Sequence, residues 1–200
     1  MNSQIRNPRV IVVGSGRSGT SSIGRILHEE MHIRMGRYLK PGDALNPEGY
    51  YEDLISHALV RGMVSGDNSI YNPRTYLEIM NDLNGYVAWG VKDPWFLLLP
   101  PAWQKALTPD LCMIATRSLE KTVNSWLKVW RSSVNATSAD NPPKSVVDHY
   151  TRLTLDRNER ANRLYDVWPN IVTIDFTERV SDEEIKTAIR AGLSAASHQK

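Results

Sequence analysis

Residues Arg9 to Leu27, RVIVVGSGRSGTSSIGRIL, constrain the fold more than any other stretch of the chain. Val10 to Val13 form a β-branched run without a polar break, which suits a strand buried on both faces. Gly14, Gly16 and Gly19 then interrupt the run. From Ser18 onward, Ile23, Ile26 and Leu27 fall on one helical face. Strand, glycine-rich turn and helix together make a cradle for an anion. The glycines let the backbone curl close to it, and the free N–H groups of the first helical turn point at it. Thr20, Ser21 and Ser22 add hydroxyl donors at the same end.

Three anion chemistries compete for this turn. A nucleoside triphosphatase loop requires G-x-x-x-x-G-K-[ST]. Gly14, Gly19 and Ser21 fit it, but Thr20 stands where the lysine belongs, so ATP or GTP hydrolysis is disfavoured. The dinucleotide pattern G-x-G-x-x-G is met by Gly14, Gly16 and Gly19. That pattern also needs an acid about 20 residues on. The chain offers only Glu29 and Glu30, inside the first helix, and then an acid-free run from His32 to Arg37. The third possibility places the cation within the turn, at Arg17.

The 200 residues suit one domain, and an apolar fraction of 41% supports a core without covalent staples. The single cysteine, Cys112, rules out an internal disulfide and a cysteine-based zinc cluster; set in an apolar run, it reads as a buried, inert thiol. Met1 to Pro8 is polar and no apolar run is long enough to span a bilayer, so a cytoplasmic protein in a reducing compartment is expected. On that expectation the sequon Asn135-Ala-Thr137 is a chance match. The net charge of +2 is too small to argue for a nucleic-acid partner, and none is expected. Residues 1–40 nevertheless carry seven Lys or Arg against two acids, so the positive excess surrounds the glycine turn.

Along the chain, Ile33 to Met35 reads as a short strand, and the Pro- and Asn-rich segment from Pro41 to Tyr51 as loop. A helix is predicted from Glu52-Asp53, with Leu54, Ile55, Ala58 and Leu59 inward, and another over Arg74–Leu83. Tyr86 to Val91 reads as a strand stopped by Pro94. Leu111 to Thr116 is a further buried strand. A helix follows from Ser118 to Arg131, with Val123, Trp126, Leu127 and Trp130 as its core face. Ser132 to Pro143 is polar loop, a candidate mobile segment. Ser145 to Trp168 is a long amphipathic helix whose Arg152, Arg157, Arg160 and Arg163, interleaved with acids, read as a solvated face. Ile171 to Ile174 and Asp182 to Ala196 complete the alternation. The expected class is α/β: three α/β/α layers around a parallel sheet, of the P-loop nucleotide hydrolase-like type. Ligands in such folds sit beyond the carboxyl ends of the strands, where Gly14, Lys92 and Arg117 all fall.

Arg17 followed by Ser18, Gly19, Thr20 and Ser21 resembles the 5′-phosphosulfate loop of sulfotransferases, which use 3′-phosphoadenosine 5′-phosphosulfate (PAPS). That family holds the 3′-phosphate with an arginine at a strand end and a serine eight residues on; Arg117 and Ser125 match. Gly90 to Phe96 resembles its Lys-x-Pro-x-Phe element, in which Lys92 would sit near the transferred group. Asn46-Pro47-Glu48-Gly49-Tyr50-Tyr51-Glu52 is similar to the loop before its second helix. The chain departs from the family at Leu119, often a proline, and lacks the C-terminal Gly-rich segment of the eukaryotic cytosolic members. It is closest in pattern to the bacterial or phage-like and heparan-type branch.

The resemblance implies sulfuryl transfer to a hydroxyl or amine on a small molecule or glycan. Gly16, Arg17, Ser18, Gly19, Thr20, Ser21, Arg117 and Ser125 would hold the nucleotide. Arg17 and Lys92 would stabilise the developing charge. Glu52, or second to it Glu48, would take the acceptor's proton. No metal ligand set is expected, since His28, His32, His149 and His198 share no ligand spacing. Asp53 and His57, one helical turn apart, are placed to pair. Two other classes stay open. One is an NADPH-dependent reductase using Gly14, Gly16 and Gly19, with Arg34 or Arg37 on the 2′-phosphate. The other is a non-catalytic nucleotide-binding protein.

Overall fold

The β-branched run Val10 to Val13 lies buried in the middle of a four-stranded, all-parallel sheet. The computed structural model describes residues 7–47, 49–66, 71–85, 87–134 and 141–198. Strands β1 (Arg9–Gly14), β2 (Trp89–Lys92), β3 (Leu111–Thr116) and β4 (Ile171–Asp175) lie in the order β2-β1-β3-β4. Val12 is in register with Lys92 on one side and Met113 on the other. The helices are α1 (Thr20–Arg25), α2 (Leu54–Val64), α3 (Pro73–Asn84), α4 (Pro101–Leu107), α5 (Leu119–Ser133), α6 (Lys144–Arg163) and α7 (Asp182–Ser197).

Alternate residues of the strands face opposite ways and build two cores. Ile11, Val13, Val91, Cys112 and Ile114 pack with Val60, Met63, Tyr76, Met80, Ala161 and Leu164 from α2, α3, α6 and the turn after it. Val10, Val12, Leu111, Met113 and Ala115 pack with Ile23 of α1 and with Ile185 and Ile189 of α7. Helices therefore cover both faces, which gives the expected three-layer α/β/α class. Cys112 is fully buried, and burial pushes its thiol well above the ordinary range, as an inert core thiol requires.

Several elements differ from their predicted form. Ile33 to Met35 makes no strand; Arg34 contributes one parallel bridge to Trp89. β2 begins at Trp89, with Val87 and Ala88 ahead of it and Tyr86 outside the described residues. The segment Pro94–Leu107 was not anticipated. It holds a 3₁₀ turn over Pro94–Leu98, capped by Asp93, and then α4, started by Pro101. α2 turns Ser56, Val60 and Met63 inward and packs Leu59 against the core as expected, while Ile55 is half-buried and Leu54 and Ala58 are exposed. Asp53 rather than Glu52 caps it, and this fixes the helix rotation. Trp126 and Trp130 are half-buried rather than core. In the predicted polar loop, α5 runs on to Ser133 and α6 starts at Lys144; residues 135–140, with the sequon, lie outside the described residues. Among the described residues no helix is long and apolar enough to cross a membrane.

Candidate active site

Connections from β1 and β3 leave in opposite directions, toward β2 and β4. The crevice beyond their carboxyl ends is thus the switch point of the sheet. The glycine turn fills it. Gly19 caps α1 in the left-handed region, φ 106°. Among the described residues no backbone carbonyl accepts from the N–H groups of Gly19, Thr20 or Ser21. Those donors stay available at the helix start, as an anion cradle requires. Gly16 has a separate reason to be glycine: a Cβ there would lie 2.4 Å from Trp126 Cζ2. Arg17 is itself left-handed, φ 72°, an uncommon state for a side chain with a Cβ and one that collects at functional sites.

The Arg17 side chain is held from two sides. Its Nε donates to Ser125 Oγ at 3.0 Å and its Nη2 to the Leu45 carbonyl at 3.5 Å. Arg117 Nη1 donates to the Arg17 carbonyl at 3.4 Å, while Arg117 Nε is buried with no hydrogen-bond partner among the described residues. The two guanidiniums that the sequence places 100 positions apart thus share one rim. Arg17 and Ser125, read from the sequence as gripping opposite ends of a nucleotide, touch directly. Asn46 Nδ2 donates to Ser21 Oγ at 3.2 Å, tying the preceding loop to α1.

On the β2 side, Lys92 is 4% exposed and donates to Glu52 Oε1 at 2.6 Å and to the Tyr50 carbonyl at 2.9 Å. Burial lowers the Lys92 pKa, and Glu52 opposes the shift. Glu52 precedes the α2 cap, so its carboxylate is free to turn to this lysine instead of serving the helix dipole. The predicted Asp53–His57 side-chain pair does not form. Asp53 accepts from the N–H groups of Ser56, Arg37 and Tyr38. His57 instead bonds through Nδ1 to Asp93 Oδ2 at 2.7 Å. That bond raises the His57 pKa, against the effect of burial.

These groups line one cavity of about 540 Å³. Of the residues singled out in the sequence, Gly16, Arg17, Gly19, Thr20 and Ser21 reach it from the turn, and Glu52, Lys92, Arg117 and Ser125 from elsewhere. Ser18 does not: its hydroxyl is buried with no partner among the described residues, and its N–H donates to the Ser15 carbonyl at 3.2 Å. Glu48 lies outside the described residues. Arg34 and Arg37, needed by the dinucleotide reading, are not on the wall.

Lys40, His57, Trp126 and Arg157 are among the wall residues that the sequence reading did not assign to the site. Trp126 stacks on Tyr150, ring centroids 5.4 Å apart. Arg157, expected on the solvated face of α6, turns toward the cavity instead. A signal for it does exist. Arg152, Arg160 and Arg163 each have an acid four residues away, whereas Arg157 has Leu153 and Ala161 there. It therefore lies on the inward face with buried Thr154 and Ala161.

Five cationic side chains, Arg17, Lys40, Lys92, Arg117 and Arg157, meet two carboxylates, Glu52 and Asp93, on this wall. The balance suits a multiply anionic ligand. Among the described residues no group of three or more His, Cys, Asp or Glu side chains could hold a metal ion. Neither a scan against protein-family models nor a search of the curated proteins found a match for this chain.

Proposed function

We propose that the chain is a PAPS-dependent sulfotransferase. The observation that carries this reading is the cluster of Arg17, Ser125 and Arg117 at the switch point, beside a glycine turn with free N–H groups. The orphaned, buried Arg117 Nε supports the fit. A half-buried guanidinium with no carboxylate partner among the described residues leaves donors that a phosphate's oxygens satisfy. Ser125 Oγ and Arg117 would hold the 3′-phosphate, and the Gly19, Thr20 and Ser21 N–H groups the 5′-phosphate. Arg17 would exchange its bond to Ser125 for the ligand.

Bound PAPS supplies a sulfuryl group: the acceptor oxygen or nitrogen bonds to sulfur, the bond from sulfur to the bridging oxygen breaks, and its electron pair stays on the 5′-phosphate. Lys92 and Arg17 are placed to stabilise that charge in a site partly closed to water. Glu52 would receive the acceptor's proton. Its carboxylate contacts Lys92 Nζ at 2.6 Å, which sets proton acceptor and cation side by side at the reacting centre. A second base is favoured by one specific contact: Asp93 fixes the His57 ring through Nδ1, leaving Nε2 as the acceptor atom. The pH–rate profiles of Glu52→Gln and His57→Asn separate the two. Loss of the whole rate in one variant alone, in protein shown by circular dichroism to be folded, identifies the base.

The test is calorimetry with adenosine 3′,5′-bisphosphate, ATP and NADPH, together with transfer from labelled PAPS to a panel of alcohols, phenols, amines and sugars. Tight binding of the bisphosphate alone, with transfer to at least one acceptor, is expected. Preferential NADPH binding would contradict the proposal. Bisphosphate binding with no transfer to any acceptor would support the non-catalytic alternative.

A further inference from the structure

We infer that Arg157 is a third anion-binding point, at the β2 end of the cavity, and that the acceptor carries its own negative group. The inference rests on the sulfotransferase reading for the word acceptor, but the anion point itself follows from Arg157 alone. Arg157 lines the cavity, and its Nε is buried with no hydrogen-bond partner among the described residues. Burial disfavours its charge, and the two acids acting on it, Asp93 and Asp156, are both committed elsewhere. Asp93 Oδ1 accepts from the Trp95 N–H and Oδ2 from His57. Both oxygens of Asp156 accept from Arg160 Nε.

A partly buried guanidinium with no direct ion pair and an unpartnered Nε is costly unless a ligand supplies an acceptor. The nucleotide's two phosphates are already provided for at the turn and at Arg117. Arg157 instead faces the electrostatics of Asp93, directly after Lys92 at the end of β2, where the attacking group must approach sulfur. A carboxylate, sulfate or phosphate on the acceptor would bond to Arg157 and set its hydroxyl or amine toward Lys92 and Glu52. Trp95, beside His57 with ring centroids 6.0 Å apart, adds an apolar wall for the body of that molecule.

The experiment measures binding of two matched pairs to the protein, with and without saturating adenosine 3′,5′-bisphosphate. The pairs are 4-nitrophenyl β-D-glucuronide with the corresponding glucoside, and 4-hydroxyphenylacetate with its amide. We expect the anionic member of at least one pair to bind roughly 10- to 100-fold more tightly. Arg157→Gln should erase that preference and cost the bisphosphate far less than Arg117→Ala does; Arg157→Lys should restore part of the preference, which separates lost charge from misfolding. No charge preference in either pair would overturn the inference. So would a preference that survives Arg157→Gln, or a bisphosphate loss in that variant equal to that of Arg117→Ala. An Arg157-dependent preference in a protein that does not bind the bisphosphate would uphold the anion point and refute the sulfotransferase reading.

Discussion

Lys92 and Glu52 form the most consequential pair in the molecule. A buried lysine needs a counter-charge, and the candidate base supplies it. Glu52→Gln strands the ammonium and should destabilise the fold by about 3–5 kcal/mol. Adding Lys92→Met to that variant removes the stranded charge and should recover much of the loss, read as urea midpoints of both variants. His57 makes a different prediction. Its pKa is raised by the bond to Asp93, so its contribution to stability is fully present below its unfolded value of about 6.5. That contribution is lost as pH rises through the raised folded value. The Tm gap between wild type and His57→Asn should therefore be largest near pH 6 and close toward pH 9; a gap independent of pH would contradict the pairing.

At the scale of elements, the caps decide which side chains reach the site. Asp53, 2% exposed, serves three N–H groups, one in α2 and two in the chain before it. It anchors the loop that delivers Glu52. Ser181 and Glu184 form a reciprocal cap on α7, away from the cavity. Ser181→Ala should cost about 1 kcal/mol. Asp53→Ala leaves three donors without an acceptor, at about 1–3 kcal/mol for each buried group, so its Tm should fall well below that of Ser181→Ala. Local pattern made β3, α3 and α7 legible in the sequence, because their apolar periodicity and caps lie within the element itself. α2 was misread because its rotation is set by Asp53 bonds to Arg37 and Tyr38, which lie outside the helix. α4 was missed because a short helix started by Pro101 carries too few residues to show a period.

At the scale of the whole molecule, the parallel sheet was legible from β-branched runs alternating with helical periods, and three rim positions followed from strand ends. The remainder of the site was not, because His57, Trp126 and Arg157 enter the cavity from helix faces whose direction only tertiary packing fixes. The cavity's excess of cations predicts a salt effect. Affinity for adenosine 3′,5′-bisphosphate should fall as ionic strength rises from about 0.01 to 1 M, where the screening length shrinks from about 30 to 3 Å, while affinity for adenosine should change little.

The central claim is that Arg117 reads a 3′-phosphate on a nucleotide held by the glycine turn. The direct measurement is a calorimetric cycle: adenosine 3′,5′-bisphosphate and adenosine 5′-monophosphate, each against wild type and Arg117→Ala. Wild type should favour the bisphosphate by about 1.5–3 kcal/mol, and the variant should favour it little or not at all. An undiminished preference in Arg117→Ala, or no preference in wild type, would contradict the claim.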